Sequence, residues 1–202
     1  MNPAFPRGSY EALIFDCDGT LTDSMPLHYL AWSRALAAYG FPFPEERFYA
    51  LGGVPSQQIV RLLADERGVQ VDVQRAAEEK EAMFMEMLHL LVPIDLVVQV
   101  VKHFVNVLPM AVASGGYRHI INRQLDQIGC TGDFQAVVTA EDTVRHKPNP
   151  EVFLLAAEKL EVPANRCLVY EDSSLGIDAA KAAGMDYIDI REFHRPRAIR
   201  FP

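Results

Sequence analysis

The stretch "EALIFDCDGTLTDS", residues 11–24, runs four apolar residues straight into a cluster of charge: Asp16, Asp18 and Asp23, with Gly19, Thr20 and Thr22 between them. An apolar run this short and uninterrupted fits a parallel strand covered on both faces. Charge gathered at its carboxyl end lies where open α/β sheets receive their ligands. A surface turn would account for any one of these acids, whereas a metal site at the mouth of a sheet would account for them together.

Working outward, the same strand signature recurs at 108–113, 136–139, 167–171 and 186–190. Amphipathic helices are expected between these strands. One covers 96–105, with Leu96, Val97, Val100, Val101 and Phe104 on one stripe, and another covers 118–128 and stops at Gly129. A third is capped by Asn149 with Pro150 at its first position, and a fourth opens at Ser173 or Ser174 and ends near Gly184. This alternation predicts an α/β chain with a Rossmann-like parallel sheet in a three-layer α/β/α core.

Residues 25–91 break the alternation. "HYLAWSRALAAYG" reads as a helix ending at Gly40, "SQQIVRLLADERG" as one capped by Ser56 and ending at Gly68, and "DVQRAAEEKEAMFMEMLHLL" as a long third helix. That helix carries a charged face of Glu78, Glu79 and Glu81, and its Met83, Met85 and Met87 read as core packing. The expected organisation is therefore a catalytic core of residues 1–24 and 92–202 with an all-helical cap at 25–91. Pro26 and Pro93 stiffen the two junctions.

The bulk properties exclude several function classes. Half of the 202 residues are hydrophobic and mean hydropathy is +0.02, enough for one ordinary core with an insertion. No apolar run is long enough to span a bilayer, and the first residues lack the order of a signal peptide, so no membrane partner is expected. A net charge of −8 argues against nucleic acid as a partner. The exception, a tail with Arg191, Arg195, Arg197 and Arg200, reads as a solvated terminus. Cys17, Cys130 and Cys167 are too scattered for a zinc site or a disulfide framework, which fits a reducing cytoplasm. Cys17 has no arginine six positions on, where a thiol phosphatase needs one, and so reads as a small core residue. Oligomeric state is not legible.

Each strand end delivers a polar group: Asp16 and Asp18, then Ser114, then Lys147, then Glu171 and Asp172. Two carboxylates about 4 Å apart repel by roughly 4 kcal/mol at an effective dielectric near 20. Several together must protonate, pair with cations or bind a metal, and an all-oxygen set favours a hard ion such as Mg²⁺. "ASGGY" places Ser114, Gly115 and Gly116 before a helix whose free N–H groups attract anions, and Lys147 adds a compact positive charge. These parts suit a phosphorylated small molecule.

"DCDGTLTDS", "VASGG", "KPNPEVF" and "YEDSSLGIDAAKAAGM" resemble, in order, the four motifs of the haloacid dehalogenase superfamily, a likeness spanning residues 10–189. The helical insertion with "HYLAW" is similar to the β-phosphoglucomutase-like branch, and within it to small bacterial phosphatases of fructose 1-phosphate or 6-phosphogluconate type. The resemblance implies a Mg²⁺-dependent phosphatase. Asp16 would be the nucleophile and Asp18 the acid and base. Asp16, the Asp18 carbonyl, Asp172 and Glu171 would surround the metal, and Ser114 and Lys147 would hold the phosphoryl oxygens. Gly19 would allow the turn and Thr20 would orient Asp18. Thr22 and Asp23 would serve a hinge, a helix cap or the catalysis itself. Gly52 and Gly53 in the cap loop, with Gly115 and His28, would meet the substrate.

Rival readings remain. Asp18 argues against a dehalogenase, which lacks that second aspartate. A phosphosugar mutase needs a lysine and an arginine in the cap loop for its second phosphate, and "LGGVPSQQ" has Gly52 and Ser56 there. His28 matches the mutase's cap histidine, although it could equally contact a monophosphate's hydroxyls or pack beside Trp32. A receiver domain would carry a lone acidic acceptor after strand three, and "TAEDTVRHKP" has none. A non-catalytic binding relative would not need every motif residue that is present.

Overall fold

The computed structural model describes residues 2–197. Five strands, β1 (Ala12–Phe15), β2 (Met110–Ala113), β3 (Ala136–Val138), β4 (Cys167–Glu171) and β5 (Asp186–Asp189), form one parallel sheet in the order β3-β2-β1-β4-β5. Alternate residues of the central strands feed opposite layers, as a period of two requires. Leu13, Phe15, Val112 and Tyr170 face α5 (Asp95–Phe104) and α6 (Arg118–Gln127). Ile14, Ala111, Ala113 and Val169 face α7 (Glu151–Lys159) and α8 (Ser174–Ala182). This is the three-layer core expected, with the strand boundaries moved by one or two residues. No helix among the described residues is long and apolar enough to cross a membrane.

The block between β1 and α5 is helical throughout: α1 (Met25–Ala37), α2 (Glu45–Ala50), α3 (Ser56–Arg67) and α4 (Val73–Glu86), followed by a 3₁₀ turn at Leu88–Leu90. It has its own core around Trp32, Phe43, Phe48, Val60 and Leu63. A second cluster, in which Met87 is buried and Met83 and Met85 pack partly buried, joins it to Ile120 of α6. The chain enters and leaves side by side: Asp23 donates its N–H to Val92 O at 3.0 Å, and Ile94 donates to Leu21 O at 2.9 Å.

Several expectations change. The six-residue α2 was not foreseen, because one and a half turns carry too little periodicity; its signal is Pro44 followed by Glu45 and Glu46. Ser56 does not cap α3; Pro55 holds that place, and the Ser56 hydroxyl donates instead to Glu81 Oε1 at 2.5 Å. The third helix stops at Glu86, several residues early. Pro150 precedes α7 rather than opening it, while Asn149 Oδ1 accepts from the Glu151 N–H at 3.1 Å. Ser173 is the cap of α8, accepting from Gly176 N–H at 2.9 Å.

The arginine tail is only partly free. Arg197 donates from its backbone N–H and Nε to Asp23 Oδ2, both at 3.1 Å, which returns the chain to the junction at 22–24. Asp23 is thus buried at this junction and does not cap α1. Arg200 lies outside the described residues.

Candidate active site

With β1 between β2 and β4, the sheet changes direction of connection at its centre, and the crevice lies beyond the carboxyl ends of these strands. Asp16 stands there, its N–H donated to Tyr170 O on β4 at 3.0 Å. Asp16, Glu171 and Asp172 each bring a carboxylate oxygen within 4.8 Å of the others. Lys147 enters from the loop after β3, only 5 % exposed, and donates to Asp16 Oδ1 at 2.7 Å, Glu171 Oε2 at 2.6 Å and Ala113 O at 3.2 Å. The other Glu171 oxygen, Oε1, accepts from the backbone N–H groups of Asp172 and Ser173 and from the Ser173 hydroxyl, at 3.1, 2.9 and 2.8 Å.

The electrostatics follow from this crowding. Burial pushes the Asp16 carboxyl well above the usual range; the Lys147 charge opposes the rise, and Glu171 and Asp172 add to it. Burial, then the Glu171 charge, push Asp172 the same way. Burial alone would lower the Lys147 ammonium, but Asp16 and Glu171 beside it carry its pKa above the ordinary value. One ammonium cannot balance three carboxylates, and this all-oxygen donor set fits a hard divalent cation.

Gly19 is where the backbone leaves no choice. Its φ is +83°, and a Cβ there would lie 2.1 Å from Asp172 Oδ2. Thr20 does not orient Asp18 as expected: its hydroxyl donates to Asp172 Oδ1 at 3.1 Å, because the turn at Gly19 brings it against β4's end.

Asp18 is held by other groups. Its Oδ1 accepts from Ser24 Oγ at 2.6 Å and Gln124 Nε2 at 2.8 Å, and lies 2.7 Å from His28 Nε2. Burial would raise this carboxyl, but His28, Ser24 and Gln124 hold it well below the usual range. Thr22 donates to Gln124 Oε1 at 2.7 Å, so its part is to orient the glutamine. His28 Nδ1 lies 2.9 Å from Lys80 Nζ. An ammonium only donates, so Nδ1 is the acceptor and the hydrogen sits on Nε2, facing Asp18. The ring lies flat on Phe84, centroids 3.8 Å apart and planes 6° apart.

Ser114, 2 % exposed at the end of β2, accepts from Gly116 N–H at 3.0 Å. The loop of Gly52 and Gly53 comes down over this region. A Cβ on Gly53 would lie 3.5 Å from Lys147 Cδ and one on Gly52 3.4 Å from Ser173 Cβ, while one on Gly115 would lie 2.7 Å from Gly53 O. Helical block and core therefore meet backbone to backbone above Ser114, and one cavity runs from Asp16 and Asp18 up to Ser56 and Glu81.

All the expected site residues thus converge on one cavity or its immediate wall. Sequence reading missed Ser24, Gln124, Lys80 and Glu81. Glu81 reads from the sequence as part of a charged face, yet it and Lys80 are buried at 9 % and 3 % exposure. The available signal was the apolar surroundings of Gln124 in 118–128 and of Lys80 next to Phe84, which leave each facing an interior with no obvious partner in sequence.

The chain also resembles known proteins. A family model described as haloacid dehalogenase-like hydrolase matches residues 10–184. The chain is 39 % identical over 183 residues to the fructose-1-phosphate phosphatase YqaB of Escherichia coli, covering 90 % of this chain and 97 % of that one. It is 27 % identical to the β-phosphoglucomutase of Bacillus subtilis, covering 87 % and 80 %. The crystal structure of a Clostridium difficile β-phosphoglucomutase superposes with a TM-score of 0.79 at 24 % identity, covering 89 % of this chain and 84 % of that one, a likeness of fold.

Proposed function

We propose that this chain, which belongs to the haloacid dehalogenase-like hydrolase family and is a hydrolase of its phosphatase kind, removes phosphate from a small phosphorylated sugar or sugar acid with Mg²⁺ as cofactor. The observation that carries the reading is the convergence of Asp16, Glu171 and Asp172 on Lys147, beside the Ser114 loop and beneath the helical block. Asp16, the Asp18 carbonyl, Asp172 and Glu171 would hold the ion, which supplies charge neutralisation that lets an anionic phosphoester approach a carboxylate.

The Asp16 oxygen not held by Lys147 attacks phosphorus and the bond from phosphorus to the sugar oxygen breaks, leaving an aspartyl-phosphate. Asp18 gives its proton to the departing oxygen, and then takes one from the water that attacks phosphorus and frees Asp16. Ser24, His28 and Gln124 on Oδ1 favour the ionised Asp18 that the second half needs. For the first half the proton sits on Oδ2, where an arriving phosphoryl anion raises the affinity for it. Ser114 and Lys147 steady the equatorial oxygens as charge spreads. Residues 25–91 serve as a cap around a core of 1–24 and 92–202, excluding bulk water when the Gly52–Gly53 loop is down. A reducing, cytoplasmic setting is supported by three free, buried thiols, Cys17, Cys130 and Cys167.

The reading is tested by product analysis with Mg²⁺ across hexose monophosphates, phosphogluconate and β-glucose 1-phosphate with its bisphosphate activator. Phosphate should appear from one or a few of these and stop on chelation. An isomerised sugar phosphate without phosphate release would make the protein a mutase instead.

Loop closure makes a separate prediction. Gly115→Ala places a methyl 2.7 Å from the Gly53 carbonyl oxygen, a backbone atom with little room to yield. The loop should be held off by an ångström or so, and kcat/KM should fall about 10²-fold with little change in melting temperature. Unaltered kinetics would show that this approach is not needed for turnover.

A further inference from the structure

The wall that the helical block contributes to the cavity contains an ion pair to which the mechanism above gives no role. Lys80 and Glu81 are consecutive on α4, and consecutive helical residues point about 100° apart and do not ordinarily face each other. Here both are drawn inward. Lys80 Nζ lies 3.0 and 3.1 Å from Glu81 Oε1 and Oε2 and 2.9 Å from His28 Nδ1, so its three hydrogens are all occupied. Glu81 Oε1 also accepts from Ser56 Oγ. Burial pushes the Glu81 carboxyl up, but the Lys80 ammonium and the Ser56 hydroxyl more than reverse this, so it is ionised at neutral pH.

Two consequences follow for whatever occupies the cavity. Among the described residues lining it, Lys80 is the sole lysine or arginine, and Glu81 neutralises it. His28 is neutral by its hydrogen bonding. The wall far from the phosphate-binding end therefore offers no uncompensated positive charge to a second anionic group. An ionised carboxylate has only acceptor sites and the Ser56 hydroxyl can accept as well as donate, which suits a body rich in hydroxyl donors.

We infer that Glu81 is a specificity-determining residue, selecting phosphate esters of uncharged, hydroxyl-rich molecules (sugars or polyols) and turning away those with a second phosphate or a carboxylate. The inference rests on the phosphatase reading and narrows it, removing sugar-acid phosphates from the preferred substrates.

The test uses any sugar monophosphate from which the wild-type protein releases phosphate. Inhibition of that reaction is then measured with glucitol 6-phosphate and 6-phosphogluconate, open chains of the same length that differ in a terminal alcohol or carboxylate. The acid should bind at least about 10-fold more weakly than the alcohol. Glu81→Gln keeps the shape and an acceptor for Ser56 but frees the Lys80 charge, and should shrink or invert that ratio by about the same factor. Lys80→Met leaves Glu81 unopposed and should widen the ratio, whatever it does to turnover; it supplies the comparison if Glu81→Gln does not fold. Equal or tighter binding of the acid to the wild type overturns the inference, as does a ratio that neither variant moves, or failure of the alcohol to inhibit. Absence of phosphate release from every compound of the panel overturns the phosphatase reading, and this inference with it.

Discussion

Asp16→Asn should lower kcat by a factor of about 10⁴ or more, the scale seen when a residue of a catalytic set is removed, while leaving the fold intact. The amide has nearly the shape of the carboxyl group but cannot form the acyl-phosphate, so the loss lies in chemistry rather than placement. The sign of the stability change separates this from simple damage. A carboxyl whose pKa is raised in the folded state works against folding once pH passes the unfolded value, because the fold disfavours its ionised form. Neutralising Asp16 removes repulsion with Glu171 and Asp172 and leaves Lys147 paired with Glu171. In metal-free buffer near neutral pH the variant should therefore melt at or above the wild-type temperature. Phosphate release near the wild-type rate would remove Asp16 from the role of nucleophile.

Lys147→Met makes the opposite change. Its ammonium is the group that the strand-end carboxylates share, and its 5 % exposure leaves no water to replace it. Removing one partner of a buried charge pair costs roughly 3–5 kcal/mol, which urea unfolding at neutral pH should show directly. Activity should fall by about 10²–10³-fold as well, since the donor proposed to hold the phosphoryl oxygens is lost. Millimolar Mg²⁺ should recover part of the stability but not the rate, because an ion held by Asp16 and Asp172 would offset their charge but would not supply the hydrogen bonds of the lost ammonium. A midpoint unchanged from wild type would mean that the ion pairs do not contribute in solution.

Much of this was legible because the chemistry sits where the local patterns change. Apolar runs ending at Asp16, Ala113 and Glu171 located the strand ends, and the motifs there named Asp16, Asp18, Ser114, Lys147, Glu171 and Asp172. Three of the four helices of the insertion were visible from their periodicity, whereas α2 was too short to show one. The errors have a common origin. Ser56 reads as a helix cap and Glu81 as part of a charged helix face, each with an ordinary local explanation, while the family resemblance assigns Thr20 to Asp18. In every case a partner distant in sequence or on another element competed successfully for the hydrogen bond.

The sequence by itself determined that this chain builds a parallel sheet with acid at its mouth and helices inserted above it, because strand burial and helix periodicity are local properties repeated along the chain. Only the tertiary structure decided what those acids face. Gln124 reaches Asp18 from α6, His28 and Lys80 link Asp18 to Glu81 across two helices, and the Gly53 carbonyl comes down on Gly115. The physical reason is that a hydrogen bond or an ion pair needs its two ends within about 3 Å, and no local pattern reports a distance between residues a hundred positions apart.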